Sequence, residues 1–93
     1  MISTMQKEVL ELAIKTWGKD AQVFKCVEEM AELIKELSKN YRGDMNGCAI
    51  VEEIADVEIM LEQMKMIFNV HSSVDIAIAM KISKLGKQLA ENY

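Results

Sequence analysis

The sequence predicts an all-α protein of four helices, and three observations carry that prediction. The chain contains no proline, so no residue in it breaks a helix outright. Apolar residues recur every three to four positions in four successive segments, which is the period of an amphipathic helix. Three of the four glycines (Gly18, Gly43 and Gly47) fall between these segments, where helix ends are expected. Gly86 lies inside the last segment, where it costs about 1 kcal/mol relative to alanine.

The first two helices are bounded by a glycine and by a polar break. Helix one is expected from residue 3 or 4 to residue 16, with Gly18 as its end. Helix two is expected to begin near Asp20, which would serve as its N-cap, and to continue to about residue 40. The stretch 41–44 then breaks the periodic pattern.

The last two helices are expected to be separated by a short connection. Helix three is predicted over residues 47–68, and helix four is predicted to run to about residue 92. Ser72, followed three residues later by Asp75, resembles a capping box at the start of helix four. This places the connection at residues 69–73 and the single histidine, His71, in a loop.

Length and composition indicate one small domain, residues 1–93, that associates with copies of itself. A domain of this size buries only about 60% of the surface that its unfolded chain exposes. Hydrophobic residues nevertheless make up 51% of the chain. Because one small core cannot hide that much apolar side chain, we expect the chain to form a homo-oligomer.

Charge and hydropathy exclude several classes of partner. The net charge of −4 argues against binding a nucleic acid polymer, which needs a basic surface, although a divalent cation would let an acidic protein bind a phosphate ligand. No segment approaches the roughly 18 apolar residues of a membrane span, and the start lacks a signal-peptide pattern. We therefore expect no membrane partner and a soluble, cytoplasmic protein. Cys26 and Cys48 form no C-x-x-C pair and are expected to be reduced core residues.

Helix two carries an unusual concentration of acidic residues. Residues three or four apart on a helix are neighbours, so these side chains form like-charge pairs that each cost a few tenths of a kcal/mol. The acids are Glu28, Glu29, Glu32 and Glu36. The alternative interpretation is a solvated face opposite an apolar stripe formed by Cys26, Met30, Leu33 and Leu37.

On helix three, Glu53 and Asp56 occupy a sector of their own, which they share with Met60 and Ile67. The main apolar stripe is Ile50, Ile54, Val57, Leu61, Met64 and Phe68. The expected solvent side carries Glu58, Glu62 and Lys65. Carboxylates flanked by apolar residues are expected to be partly buried, and a desolvated carboxylate either raises its pKa or acquires a cation.

The two helices therefore carry matching acidic units, E-x-x-E at Glu29 and Glu32 and E-x-x-D at Glu53 and Asp56. If the helices pack antiparallel, the spacing of three directs all four carboxylates to one point. An all-oxygen donor set suits Mg²⁺, with Mn²⁺ as a substitute. A di-iron site is disfavoured, because it needs E-x-x-H units and His71 is expected in a loop.

The acidic motifs resemble those of the MazG-type family of all-α nucleotide pyrophosphohydrolases. The resemblance rests on EEMAEL at residues 28–33 followed by EEIADV at residues 52–57. It implies an antiparallel four-helix bundle, completed by homo-oligomerisation to a dimer or a tetramer, with an active site partly shared between subunits. It also implies hydrolysis of nucleoside or deoxynucleoside triphosphates to the monophosphate and pyrophosphate.

Site residues follow from the same resemblance. Glu29, Glu32, Glu53 and Asp56 match the family's magnesium ligands. The preceding acid in each motif, Glu28 and Glu52, matches positions that support the site or orient a water. Either of these two is a candidate general base.

Helix four is expected to supply positive charge for the substrate phosphates. Lys81, Lys84 and Lys87 recur every three residues on one side. Family members resembling this chain carry K-x-x-N-x-x-R here, so Lys81 fits, whereas Lys84 replaces the asparagine and Lys87 the arginine. The alternative is a solvated basic face.

Three further alternatives concern the nucleobase, the function as a whole and the substrate. Trp17, the only tryptophan, is a candidate for stacking on a nucleobase or else a core residue. The rival function is a non-catalytic helical interaction module whose acids only form a solvated face. A rival substrate is phosphoribosyl-ATP, but the residues that usually accompany that activity do not follow Asp56.

Overall fold

The computed structural model describes residues 2–92, and within that range the chain forms four α-helices and no strand. The helices are α1 (Thr4–Trp17), α2 (Lys19–Tyr41), α3 (Gly47–Phe68) and α4 (His71–Glu91). The all-α prediction with four helices is confirmed.

The first helix begins with a capping box that the sequence analysis did not use. The Ser3 backbone N–H donates to Gln6 Oε1 at 2.8 Å, and the Gln6 N–H donates to Ser3 Oγ at 3.2 Å. At its other end, α1 stops at Gly18, whose φ of 93° favours glycine. Gly18 is also the N-cap of α2, so the prediction of Asp20 as N-cap is wrong. Asp20 lies instead in the first turn, where its charge complements the helix dipole.

The junction between α3 and α4 is shorter than predicted. Asn69 ends α3 in the left-handed conformation (φ 54°, ψ 52°), which asparagine tolerates better than most residues. This turn reverses the chain quickly, so α4 starts at His71. The predicted loop over 69–73 and the capping box at Ser72 and Asp75 are therefore wrong, because the N-cap is Val70 and no side chain caps it.

His71 pairs with a carboxylate of the preceding helix rather than lying in a loop. Its Nε2 contacts Oε2 of Glu62, a buried side chain on α3. The expectation that Glu62 lies on the solvent side of α3 is therefore wrong. The pair ties the first turn of α4 to the body of the protein.

The main packing of the fold is between α2 and α3, which run antiparallel. Asn46, just before α3, donates from Nδ2 to both the carbonyl oxygen and Oε1 of Glu36, each at 2.9 Å. Asn40 Nδ2 donates to the carbonyl oxygen of Asp44 at 3.4 Å within the same loop. α1 packs on both helices, and Gln63 Nε2 donates to the carbonyl oxygen of Leu10 at 3.3 Å.

The buried interior is small and unusually polar. Cys26 and Met60 are its buried apolar residues. The buried polar residues are Gln22, Glu36, Glu62 and Gln63. The expectation of a core position holds for Cys26 and is wrong for Cys48, which is exposed; both cysteines are free thiols.

A large apolar surface remains outside this interior. On α3, Ile54, Leu61 and Phe68 of the main apolar stripe are exposed. Within residues 2–92, α4 packs against α3 alone and has no buried residue. The radius of gyration is 16.2 Å, whereas a compact chain of this length has about 12 Å. The four-helix bundle completed by homo-oligomerisation stays a prediction, to which this open shape adds support.

The length and hydropathy of the helices show whether any of them could span a membrane. In the part of the chain that the structure describes, every helix falls short of the length and apolar character needed to cross a bilayer.

Candidate metal centre

The acidic residues of α2 divide between an inner and an outer face. Residues three or four apart share one side of a helix, and the inner side of α2 carries Gln22, Cys26, Glu29, Leu33 and Glu36, all buried or half-buried. The side chain of Glu29 is only 16% exposed. A solvated acidic face is therefore excluded for Glu29 and Glu36, although it describes Glu28 and Glu32, which are exposed.

The predicted sector of α3 is the side that faces α2. Met60 is buried, and Glu53 and Ile67 are half-buried. In the main apolar stripe of α3, by contrast, Ile54, Leu61 and Phe68 are exposed. The prediction that Glu53 is partly buried is confirmed, whereas Asp56, at the rim, is exposed.

Three carboxylates from the two helices meet at one point. Glu29, Glu53 and Asp56 each offer an oxygen, and these oxygens lie within 4.8 Å of one another. Oε2 of Glu53 is buried and has no hydrogen-bond partner within residues 2–92. Burial raises the pKa of Glu53 above its ordinary value, and the neighbouring charges of Asp56 and Glu29 raise this pKa further. We call these three residues the carboxylate triad.

Glu32, the fourth predicted ligand, lies beside the triad rather than within it. Its side chain is 51% exposed and its Oε2 lies 3.3 Å from Lys35 Nζ. Its negative charge nevertheless contributes to the raised pKa of Glu53, so the two carboxylates are near enough to repel each other. The structure therefore brings three of the four predicted ligands together.

Glu36 adds a fixed negative charge next to the triad. The hydrogen bond from Asn46 lowers the pKa of Glu36, and the charge of Lys39, whose Nζ lies 3.5 Å from Oε2, lowers it further. An ionised Glu36 in turn contributes to the raised pKa of Glu53. Glu36 was counted among the acids of helix two but was given no role. Its hydrogen bond comes from Asn46, ten residues further along the chain, and the helical period does not predict such a contact.

The donor set fits a hard divalent cation. All the donors are carboxylate oxygens, which Mg²⁺ prefers. Their spread of 4.8 Å is close to the roughly 4.2 Å that separates opposite oxygens around an octahedral Mg²⁺. The unpartnered Glu53 Oε2 is a buried acceptor that a cation would satisfy. The residues present thus fit the predicted magnesium.

A groove adjoins the triad on the side of α1. It has a volume of about 610 Å³ and is bounded by α1, α2 and α3. Its lining is Leu10, Ala13, Trp17, Ala21, Gln22, Lys25, Glu28, Ile59, Met60 and Gln63. Lys25 connects the groove to the triad, because its Nζ lies 3.3 Å from Glu29 Oε1. Lys25 and Gln63 were not predicted from the sequence. Helical spacing could have indicated both, because Lys25 is four residues before Glu29 and Gln63 is seven residues after Asp56, so each shares a helix face with a triad residue.

Trp17 and Glu28 both line this groove. Trp17 is 66% exposed, so the alternative in which it is a core residue is wrong. Glu28, a candidate general base, is exposed on the groove wall, and Glu52, the other candidate, is exposed beside Glu53 on α3. Both are accessible to solvent water.

The predicted phosphate-binding lysines lie apart from the triad. Lys81, Lys84 and Lys87 are exposed on α4, as the solvated-face alternative also expects. Over residues 2–92, α4 makes no packing contact with α2, which carries Glu29. Within a single chain the structure does not bring the lysines and carboxylates together.

Comparisons with protein-family models, curated proteins and solved structures each found no match to this chain. The MazG-type resemblance therefore rests on the two acidic motifs and stays a prediction.

Proposed function

We propose that this protein is a Mg²⁺-dependent hydrolase that cleaves nucleoside or deoxynucleoside triphosphates to the monophosphate and pyrophosphate. The observation that carries the proposal is the buried Oε2 of the half-buried Glu53, which has no hydrogen-bond partner among the described residues and lies close to Glu29 and Asp56. Three carboxylates this close together repel one another and destabilise the folded state when no cation is shared between them. A function that requires a bound cation would explain why the three residues lie together. The resemblance of the two motifs to the MazG-type family supports the same reaction.

The triad would hold the cation, with Glu32 as a further ligand after release from Lys35. Magnesium, for which manganese would substitute, supplies positive charge that offsets repulsion between the acidic protein and the triphosphate and polarises its oxygens. Glu36 already accepts a hydrogen bond from Asn46 and pairs with Lys39. It would therefore add negative charge near the cation instead of binding it.

A carboxylate outside the triad would take the proton of the attacking water. Glu28 and Glu52 both stand next to triad members in sequence and are exposed. Glu28 also lines the groove that adjoins the triad. Either residue would hold a water for attack on phosphorus, and a single substitution at each position distinguishes them.

The lysines of α4 would reach the phosphates from a second copy of the chain. α4 presents Lys81, Lys84 and Lys87 on a helix that packs only on α3 among the described residues. A dimer or tetramer that covers the apolar surface of α3 and α4 would place these lysines at a neighbour's site. The role that best suits such an enzyme is housekeeping of the nucleotide pool.

The test is product analysis with a panel of NTPs and dNTPs in the presence of magnesium. We expect the wild type to release pyrophosphate and monophosphate, and we expect Glu53→Gln and Asp56→Asn to lose this activity. Glu58→Gln is the matched control, because Glu58 is an exposed acid of the same helix outside the triad. Orthophosphate with diphosphate would mean that another bond is cut.

The second candidate function is a non-catalytic interaction module. The exposed apolar surface of α3 and α4 is the observation that favours it. On this reading, no nucleotide turns over, and Glu53→Gln leaves the binding of divalent cations unchanged.

A further inference from the structure

Gln63 combines nearly complete burial with an unsatisfied hydrogen-bonding atom. The residue is 2% exposed. Its Nε2 donates to the carbonyl oxygen of Leu10 at 3.3 Å. This bond orients the amide so that Oε1 points away from that carbonyl. Oε1 is buried and has no hydrogen-bond partner in the part of the chain that the structure describes. Unpaired buried acceptors are rare in folded proteins, and each calls for an explanation such as a ligand.

The same residue lines the groove beside the carboxylate triad. Trp17 forms part of the wall with its ring largely exposed, and Met60 and Leu10 contribute apolar surface. An aromatic ring, a largely apolar lining and a buried amide acceptor without a partner are the features that bind a flat heterocycle with a polar edge. A groove of about 610 Å³ has ample room for one.

The groove also has a definite direction. Lys25 lines it and contacts Glu29 of the triad. A ligand in the groove would therefore have one end near the proposed metal and the other beside Gln63. A nucleotide has this arrangement, with its phosphates at one end and its base at the other.

We propose that the groove binds the base of the nucleotide against Trp17, and that Gln63 Oε1 accepts a hydrogen bond from an exocyclic amino group of that base. This inference rests on the proposed function and names its substrate class. The site would favour cytosine over uracil and adenine over hypoxanthine, because each second base carries a carbonyl oxygen where the first has an amino group. An oxygen facing Gln63 Oε1 would leave both acceptors unpaired. Access to Oε1 requires a small rearrangement of the lining, for which the unbranched Met60 side chain is suited.

Matched substrate pairs test the inference by activity. We expect kcat/KM for CTP to exceed that for UTP by about tenfold or more, and ATP to exceed ITP similarly. Gln63→Met, which keeps the length of the side chain and removes the acceptor, should bring both ratios close to one. Gln88→Met is the control, because Gln88 is an exposed glutamine on α4 that does not line the groove. Equal rates for the members of each pair in the wild type would overturn the inference, and this comparison needs no variant to fold.

A binding measurement separates this inference from the proposed hydrolysis. Trp17 is the only tryptophan, so its fluorescence reports directly on the groove. Cytidine, which has no phosphates, should change this fluorescence at lower concentration than uridine does, in the absence of metal. This result without any nucleotide turnover would support the groove and refute hydrolysis. Turnover without an effect of either nucleoside on Trp17 would refute the groove and support hydrolysis.

Discussion

Replacing Glu53 by glutamine should separate the two roles of its carboxylate, as a source of repulsion and as a metal ligand. The substitution keeps the shape of the side chain and removes one of the three charges of the triad. Its amide can also donate to the carboxylates of Glu29 and Asp56. Because the raised pKa of Glu53 reflects burial and neighbouring acids, we expect the metal-free variant to be more stable than the wild type near neutral pH.

Magnesium should stabilise the wild type more than the variant. A ligand at ten times its Kd stabilises the folded state by about 1.4 kcal/mol. For a domain of this size, each kcal/mol raises Tm by about 4–8 °C, so the wild type should gain about 6–11 °C. If loss of one ligand weakens binding tenfold, the variant retains about 0.4 kcal/mol, or about 2–3 °C, at the same magnesium concentration.

The assay is thermal unfolding followed by circular dichroism in EDTA and then across a magnesium titration. Glu58→Gln provides the matched loss of one charge on the exposed side of α3. It should respond to magnesium as the wild type does. An equal magnesium response in Glu53→Gln and the wild type, or a metal-free variant less stable than the wild type, would refute the reasoning.

Three further perturbations test the packing, the exposed surface and the loop. Met60→Ala removes a buried side chain from a small interior and should lower the free energy of unfolding by about 2–3 kcal/mol, measured by urea denaturation; a loss under 1 kcal/mol would show that Met60 is not a core residue. Leu61→Glu places a charge on the exposed apolar stripe of α3 and should reduce the mass measured by light scattering to that of the monomer, whereas an unchanged oligomer would place the interface elsewhere. Asn46→Ala removes the hydrogen bond that lowers the pKa of Glu36. A lowered folded-state pKa contributes stability above the ordinary glutamate value of 4.5 and loses it as pH falls through the folded-state pKa. The stability difference between the wild type and Asn46→Ala should therefore shrink on acidification below 4.5, and a difference independent of pH would contradict this role.

Much of the helical framework could be predicted from local signals. Gly18 and the polar stretch after residue 40 end helices through conformational preferences that act within a few residues. The partial burial of Glu53 also followed from the sequence, because helical geometry places it with Met60 and Ile67. These predictions required only the period of the helix.

Other features depend on contacts distant in sequence, and local reasoning missed them. The start of α4 is set by the left-handed turn at Asn69 and the His71–Glu62 pair, which overrode the capping signal at Ser72. The burial of Glu62 likewise depends on its partner from the next helix. Periodicity identified the stripe of α3 with most apolar residues, but it could not show that Ile54, Leu61 and Phe68 of this stripe are exposed.

The connection between α1 and α2 has a consequence for the groove. Only Gly18 separates the two helices, and its φ of 93° is a conformation that other residues rarely adopt. The direction of α1 relative to α2 is therefore set by the backbone torsions of one residue, together with the packing of α1 on α2 and α3. Because α1 carries Leu10, Ala13 and Trp17 to the groove, a small rotation at Gly18 changes the width of the opening beside the triad. The hydrogen bond from Gln63 to Leu10 joins α1 to α3 across this groove and so opposes such a rotation.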